Sequence, residues 1–190
     1  MDGGSKNFGK DGLPVLVVRL PDHEQLNMRL RRLLIGQSQT VPDQVSNQPH
    51  GQSYFDNRWL SRANLHKSDE PDIRRLVKFA ELIANQALRS DPSRAVSVVS
   101  MWCIVGKPGL KGRRHNHGGR VSGSYYVDAG SSGAQDGGSL QFYADRDNAQ
   151  PSHSIEPESG ALYLFPSRLE HSVSRYDGTD PRVVIGLNMK

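Results

Sequence analysis

Six short apolar segments dominate the second half of this chain. Residues 96–105, 122–127, 139–143, 161–165, 171–174 and 182–188 are of strand length, and Gly, Pro, Asp and Ser separate them at roughly regular spacing. Strands this short and this numerous expose unpaired edges unless they close into a double sheet, so the pattern predicts a β-sandwich or jelly roll. Residues 136–138, Asp-Gly-Gly, carry a turn and hairpin signal ahead of the third segment. A further strand is expected earlier, over residues 14–20 (PVLVVRL).

The first half reads differently. Over residues 72–89, Ile73, Leu76, Val77, Ala80, Ile83, Ala84, Ala87 and Leu88 follow three-four spacing, which predicts a helix with one apolar stripe. Ser68, Asp69 and Pro71 mark its start, and residues 90–92 (Ser-Asp-Pro) its end. A second helix-like stretch holds Leu30, Leu33 and Leu34 beside Arg29, Arg31 and Arg32. Such a stripe needs a partner, and the downstream sheet supplies one, so the expected class is α+β with N-terminal helices bracing a jelly roll.

With 190 residues the chain suits a single domain. We expect residues 1–12 to be flexible, 13–95 to form an N-terminal strand, a loop and supporting helices, and 96–190 the jelly-roll core. The expected loop is residues 36–56, rich in Gln, Ser and Pro and without periodicity. The net charge of +4 is spread along the chain, and the Arg29, Arg31, Arg32 cluster reads as a solvated helix face. Without a basic stripe or stacking aromatics, this argues against nucleic-acid binding. No apolar run approaches a membrane span and the start has no signal-peptide core, so a cytoplasmic protein is expected. Cys103 and Trp102 lie in an apolar run and read as core residues.

Three histidines and one arginine stand out. His115 and His117 are separated by one residue, and on an extended segment such positions point the same way. His171 opens a later strand, and Arg182 begins the last one. A non-haem Fe(II) centre needs about three ligands on one face, with open positions opposite. A cosubstrate such as 2-oxoglutarate needs a fixed cation for its far carboxylate, for which a guanidinium fork is well shaped. Alternation puts Arg182, Val184, Gly186 and Asn188 on one face of the last strand, and Val183, Ile185 and Leu187 on the other. Likewise Tyr125 and Tyr126 should face opposite ways, one to the core and one to the pocket. His23, His50, His66 and His153 have no partner spacing and read as surface residues.

These motifs, HNH at 115–117, SGSYYV at 122–127, FPSRLEH at 165–171 and RVVIGLN at 182–188, resemble the 2-oxoglutarate and Fe(II)-dependent oxygenase superfamily. More narrowly they resemble a small family of bacterial and phage proteins with H-x-H, S-G-x-Y-Y, F-P-S-x-x-x-H and R-x-x-x-x-x-N. The resemblance is close from Trp102 to the C-terminus and looser upstream. It implies a double-stranded β-helix, cupin-like core, with iron held by His171, His117 and His115. It also implies 2-oxoglutarate held by Arg182, Tyr126 and Ser122 lining the same cavity, and Asn188 in support. The implied reaction is oxidative decarboxylation of 2-oxoglutarate coupled to hydroxylation of a small molecule or protein side chain, with no catalytic residue beyond the metal ligands.

The superfamily's commonest first motif is H-x-D, and no carboxylate stands at that spacing here. Either His117 takes the carboxylate's place in a three-histidine site, or His117 and His171 alone hold the metal and leave a position open to water or chloride. A cupin-like metal enzyme that does not use 2-oxoglutarate, and a non-catalytic metal-binding module, are the competing readings.

Overall fold

The computed structural model of the chain describes residues 5–7, 14–43, 55–88, 95–130, 137–145 and 147–190. Two short strands, β1 (Ser5–Asn7) and β2 (Pro14–Arg19), precede helix α1 (His23–Thr40). Strand β3 (Phe55–Leu60) and a 3-10 turn (Leu65–Lys67) lead to helix α2 (Pro71–Leu88). The rest is sheet: β4 (Val98–His115), β5 (Val121–Asp128), β6 (Leu140–Tyr143), β7 (His153–Ile155), β8 (Ala161–Pro166), β9 (Glu170–Tyr176) and β10 (Arg182–Met189). The strands pair antiparallel in the order β1-β2-β8-β5-β10-β4-β9-β6-β7, with β3 added to β4. The curled antiparallel sheet with two bracing helices is the double-stranded β-helix arrangement expected from the sequence.

Strand alternation sorts the core into two compartments. Val183, Ile185 and Leu187 of β10 join Met101, Cys103 and Val105 of β4 and Tyr125 of β5 under the helices, where they meet Leu26, Leu30 and Leu34 of α1 and Ile73, Leu76 and Ala80 of α2. The opposite faces carry Tyr126, Leu140, Phe142, Phe165 and Val184 into the interior of the curl. Two ion pairs tie α1 down: Arg29 Nε to Asp72 at 2.7 Å and Arg31 Nε to Asp128 at 2.5 Å. Both arginines keep much of their side chain in solvent, as a solvated helix face, while pairing with α2 and β5.

Several expectations change. Residues 36–40 continue α1 and 55–56 open β3, so the expected 36–56 loop is shorter at both ends; residues 44–54 lie outside the described ones. Within 1–12, residues 5–7 pair with β2 instead of standing apart. The strand expected to end at residue 105 runs on to His115, through a Gly-Lys-Pro-Gly stretch that reads as a turn. It survives because β4 changes partners there, from β10 to β9, with register shifts that bend it around the curl. The Gly-Gly of 137–138 does not close a hairpin between neighbours: β5 pairs with β8 and β10, and β6 with β7 and β9. Asp136 and His50 fall outside the described residues, and His23, His66 and His153 are half-buried rather than exposed. Among the described residues no helix is long and apolar enough to cross a membrane.

Candidate metal centre and cosubstrate pocket

Because β10 lies between β4 and β5, its inward residues set up cross-strand rows along the pocket. Arg182 pairs with Gly106 of β4. Val184 lies between Ile104 and Tyr126, Gly186 between Trp102 and Ser124, and Asn188 between Ser100 and Ser122. A cationic end thus gives way to an apolar row, then to an aromatic one, then to a polar one. The indole of Trp102 lies across Gly186, where a Cβ would come within 2.5 Å of its Cε2. A glycine at that position is what lets the ring lie down.

The three histidines meet at the edge of this pocket. His115 and His171 are cross-strand partners on β4 and β9, while His117 sits two residues past the end of β4. Their ring centroids are 4.4 Å (His115–His171), 4.9 Å (His115–His117) and 5.1 Å (His117–His171) apart. One nitrogen from each ring lies within 4.8 Å of the other two. The cluster contains no carboxylate among the described residues.

Two of the rings are fixed through their other nitrogen. His115 Nδ1 is 2.6 Å from the Arg113 carbonyl and His171 Nδ1 is 3.0 Å from the Leu169 carbonyl. A carbonyl only accepts, so each Nδ1 carries the proton and each Nε2 keeps its lone pair, the arrangement that metal-ligating imidazoles use. Burial, with the neighbouring His115, pushes His171 down to about 3 and His117 down to about 4; burial also lowers His115. All three are therefore neutral at physiological pH. Three neutral imidazoles gathered in one cluster suit a divalent metal.

Arg182 lines the same pocket and is 3% exposed. Its Nε donates to the Ala129 carbonyl at 2.8 Å, its Nη1 donates to the Gly138 carbonyl, and the guanidinium lies over the Tyr176 ring at 4.2 Å. Burial pulls its pKa down, yet a guanidinium stays charged near neutrality. Among the described residues no carboxylate lies within ion-pair distance of it. Asp128 acts on it from beyond ion-pair distance, and a buried cation with no anion in direct contact is suited to an anionic ligand.

Tyr126 also lines the pocket, 5.9 Å from the guanidinium, while Tyr125 faces the helices and donates to Asn27 Oδ1 at 2.6 Å, so the two tyrosines divide as expected. Ser122 and Asn188 stand on the pocket face but outside the ring of lining residues, which takes Ser124 instead; they bond to each other at 2.8 Å. Trp102, expected in the core, forms a pocket wall 5.6 Å from His117. Its neighbours Met101 and Cys103 are fully buried on the helix side, and strand parity alone could not say which set faced inward. Phe165, whose ring is 4.7 Å from that of His171, also belongs to the site, unanticipated by the sequence reading, and Gly138 belongs to the turn that could border the mouth of the pocket. Phe165 stands inside the FPSRLEH motif, as does Ser167, whereas Gly138 gives only a turn signal.

Residues 100–188, a little under half of the chain, match a family described as "Putative 2OG-Fe(II) oxygenase". A prolyl-4-hydroxylase from Pseudomonas putida has a similar structure, with TM-score 0.65 and 17% identity over 92% of this chain and 91% of that one. HygX from Streptomyces hygroscopicus, solved with nickel and 2-oxoglutarate bound, gives TM-score 0.64 and 12% identity over 94% and 83% of the two chains. SnoK, a non-haem alpha-ketoglutarate-dependent carbocyclase from nogalamycin biosynthesis, gives 0.68 and 12% over 97% and 86%. At these identities the likeness is one of fold. No curated protein matches the chain.

Proposed function

We propose that the chain is an Fe(II)- and 2-oxoglutarate-dependent oxygenase that holds its iron on His115, His117 and His171 and the far carboxylate of 2-oxoglutarate on Arg182, and hydroxylates a small molecule or a protein side chain. The observation that carries the assignment is the buried Arg182, with no described carboxylate at ion-pair distance, opening into the same pocket as the three neutral imidazoles. A cupin-like enzyme without a ketoacid has no use for such a cation.

Bound Fe(II) supplies reductive activation of O₂, which couples oxidative decarboxylation of 2-oxoglutarate to hydroxylation of a C–H bond. The chain's own residues bind, orient and dry the reactants. Arg182, held by the Ala129 and Gly138 carbonyls, presents its remaining N–H groups to a carboxylate with little freedom to lose. Ile104, Val184, Tyr126 and Phe165 line the cavity with apolar surface that excludes water and strengthens that contact. His115 and His171 are locked in one tautomer by backbone carbonyls. Since no carboxylate joins the set, the ligands contribute no negative charge and the anionic cosubstrate meets a more positive metal.

Proteins of this fold are seen with a peptide and with a small molecule bound: a Trichoplax adhaerens prolyl hydroxylase with a peptide fragment, and HygX with hygromycin B. A cytoplasmic setting, which keeps the single buried Cys103 reduced, is part of the proposal. The test is succinate formation from 2-oxoglutarate with Fe(II) and O₂, together with iron content. His171→Ala should lose both, and unchanged iron stoichiometry in that variant would refute the ligand assignment.

A further inference from the structure

Iron and 2-oxoglutarate, as assigned above, leave three motif residues unaccounted for, namely Ser122 of SGSYYV, Ser167 of FPSRLEH and Asn188 of RVVIGLN. The fold brings these three together. Ser122 Oγ lies 2.9 Å from Ser167 Oγ and 2.8 Å from Asn188 Oδ1, and Asn188 Nδ2 donates to Ser100 Oγ at 3.2 Å. Ser122 is the donor to both neighbours, its one proton shared between Ser167 Oγ and Asn188 Oδ1, and the Asn188 amide in turn donates to Ser100. Ser122 and Ser167 are each 1% exposed.

What this chain of bonds joins gives it a purpose. His117 lies in the connection between β4 and β5, outside any strand. Its backbone N–H donates to the Ser167 carbonyl at 2.8 Å, the Ser167 N–H donates to the Arg120 carbonyl at 3.2 Å, and the Arg120 N–H donates to the Met189 carbonyl at 2.9 Å. The connection is thus moored to two places, the turn after β8 and the end of β10, and Ser122 bonds to both through Ser167 and Asn188. The same turn supplies the Leu169 carbonyl that engages His171 Nδ1 at 3.0 Å. A shift of Ser167 therefore moves one imidazole relative to the other.

We infer that the Ser167–Ser122–Asn188–Ser100 chain is a positioning device for the histidine cluster, setting His117 against His171 without touching the metal. This rests on the histidine cluster being the metal site. Partners one bond removed from the ligands commonly control metal affinity by about 10- to 100-fold, and these residues act through the backbone that carries the ligands.

The experiment is anaerobic titration of the metal-free protein with Co(II), followed by visible absorption, alongside apo melting curves. Ser122→Ala and Asn188→Ala should weaken Co(II) by about 10- to 100-fold and shift its ligand-field bands, at temperatures well below their melting points. Ser100→Ala, which removes only the outermost bond, should change affinity by no more than about threefold. Should Ser122→Ala not fold, Asn188→Ala breaks the same chain from the half-buried side. Wild-type Co(II) affinity and spectrum in either folded variant, even with a lowered melting point, would leave these residues a purely structural role and overturn the inference alone. Failure of the wild-type protein to bind Co(II) would overturn the metal assignment itself.

Discussion

Arg182→Met separates ligand binding from stability with opposite signs. In the ligand-free protein the guanidinium is 3% exposed, faces no carboxylate among the described residues, and is held by the Ala129 and Gly138 carbonyls. A carboxylate seated about 4 Å from it gains about 4 kcal/mol at an effective dielectric near 20. Truncating one partner of a buried charge pair commonly costs about 2–5 kcal/mol. Taking about 3–4 kcal/mol at about 1.4 kcal/mol per tenfold, 2-oxoglutarate affinity should fall by two to three orders of magnitude. Metal affinity should stay within a few-fold, because the triad makes no bond to Arg182.

The apo protein should melt no lower than wild type. Removing a buried charge that has no ion-pair partner relieves several kcal/mol of desolvation, less the longer-range attraction of Asp128. Against that, two carbonyls lose a donor, at about 1–3 kcal/mol each. Calorimetric titration of the metal-loaded protein with 2-oxoglutarate, and apo melting curves, read both quantities. Unchanged 2-oxoglutarate affinity would refute the cosubstrate assignment, and a large drop in apo melting temperature would show that Arg182 serves the fold.

Gly138→Ala tests the same clamp indirectly: at φ +78° its Cβ would fall 2.2 Å from Arg182 Nη1, so 2-oxoglutarate binding should weaken by about tenfold or more while metal binding holds, as paired titrations would show. The pH dependence of apo stability follows from the imidazoles. His171 and His117 titrate at about 3 and about 4 when folded but near 6.5 when unfolded, so the unfolded chain binds more protons in between, and stability should fall as pH drops from about 6.5 towards 3. Equilibrium urea unfolding across that range should show a shallower slope for His171→Ala. Tyr125→Phe leaves the buried Asn27 oxygen without its donor and should cost about 1–3 kcal/mol in urea unfolding, with metal and 2-oxoglutarate affinities unchanged.

Strand alternation carried much of the fold in advance, because a period of two is local: the faces of β10, with Arg182, Val184, Gly186 and Asn188 inward, and the split between Tyr125 and Tyr126 could both be read from the sequence. What alternation could not decide was which face looked inward where no charge marked it, and Trp102 reads as a core residue for that reason. The extension of β4 past Gly106 was hidden because Gly-Lys-Pro-Gly carries turn chemistry, which bends the strand here instead of ending it. Gly138 was legible only as part of a turn that could border the pocket mouth. Its closeness to Arg182 is a tertiary contact across the curl, and nothing in a turn tripeptide announces it. The meeting of Ser122, Ser167 and Asn188 likewise depends on β8 and β10 both flanking β5, a pairing order no local pattern contains.

The most direct measurement is the visible metal-to-ligand charge-transfer band of the protein reconstituted anaerobically with Fe(II) and 2-oxoglutarate, compared with His171→Ala and Arg182→Met. A three-histidine iron site with Arg182 on the cosubstrate predicts a weak visible band in the wild-type protein and none in His171→Ala at any 2-oxoglutarate concentration. In Arg182→Met the band should recover only at about 100- to 1000-fold higher 2-oxoglutarate. Iron binding with no band in the wild-type protein, or a band indifferent to both substitutions, would contradict that assignment.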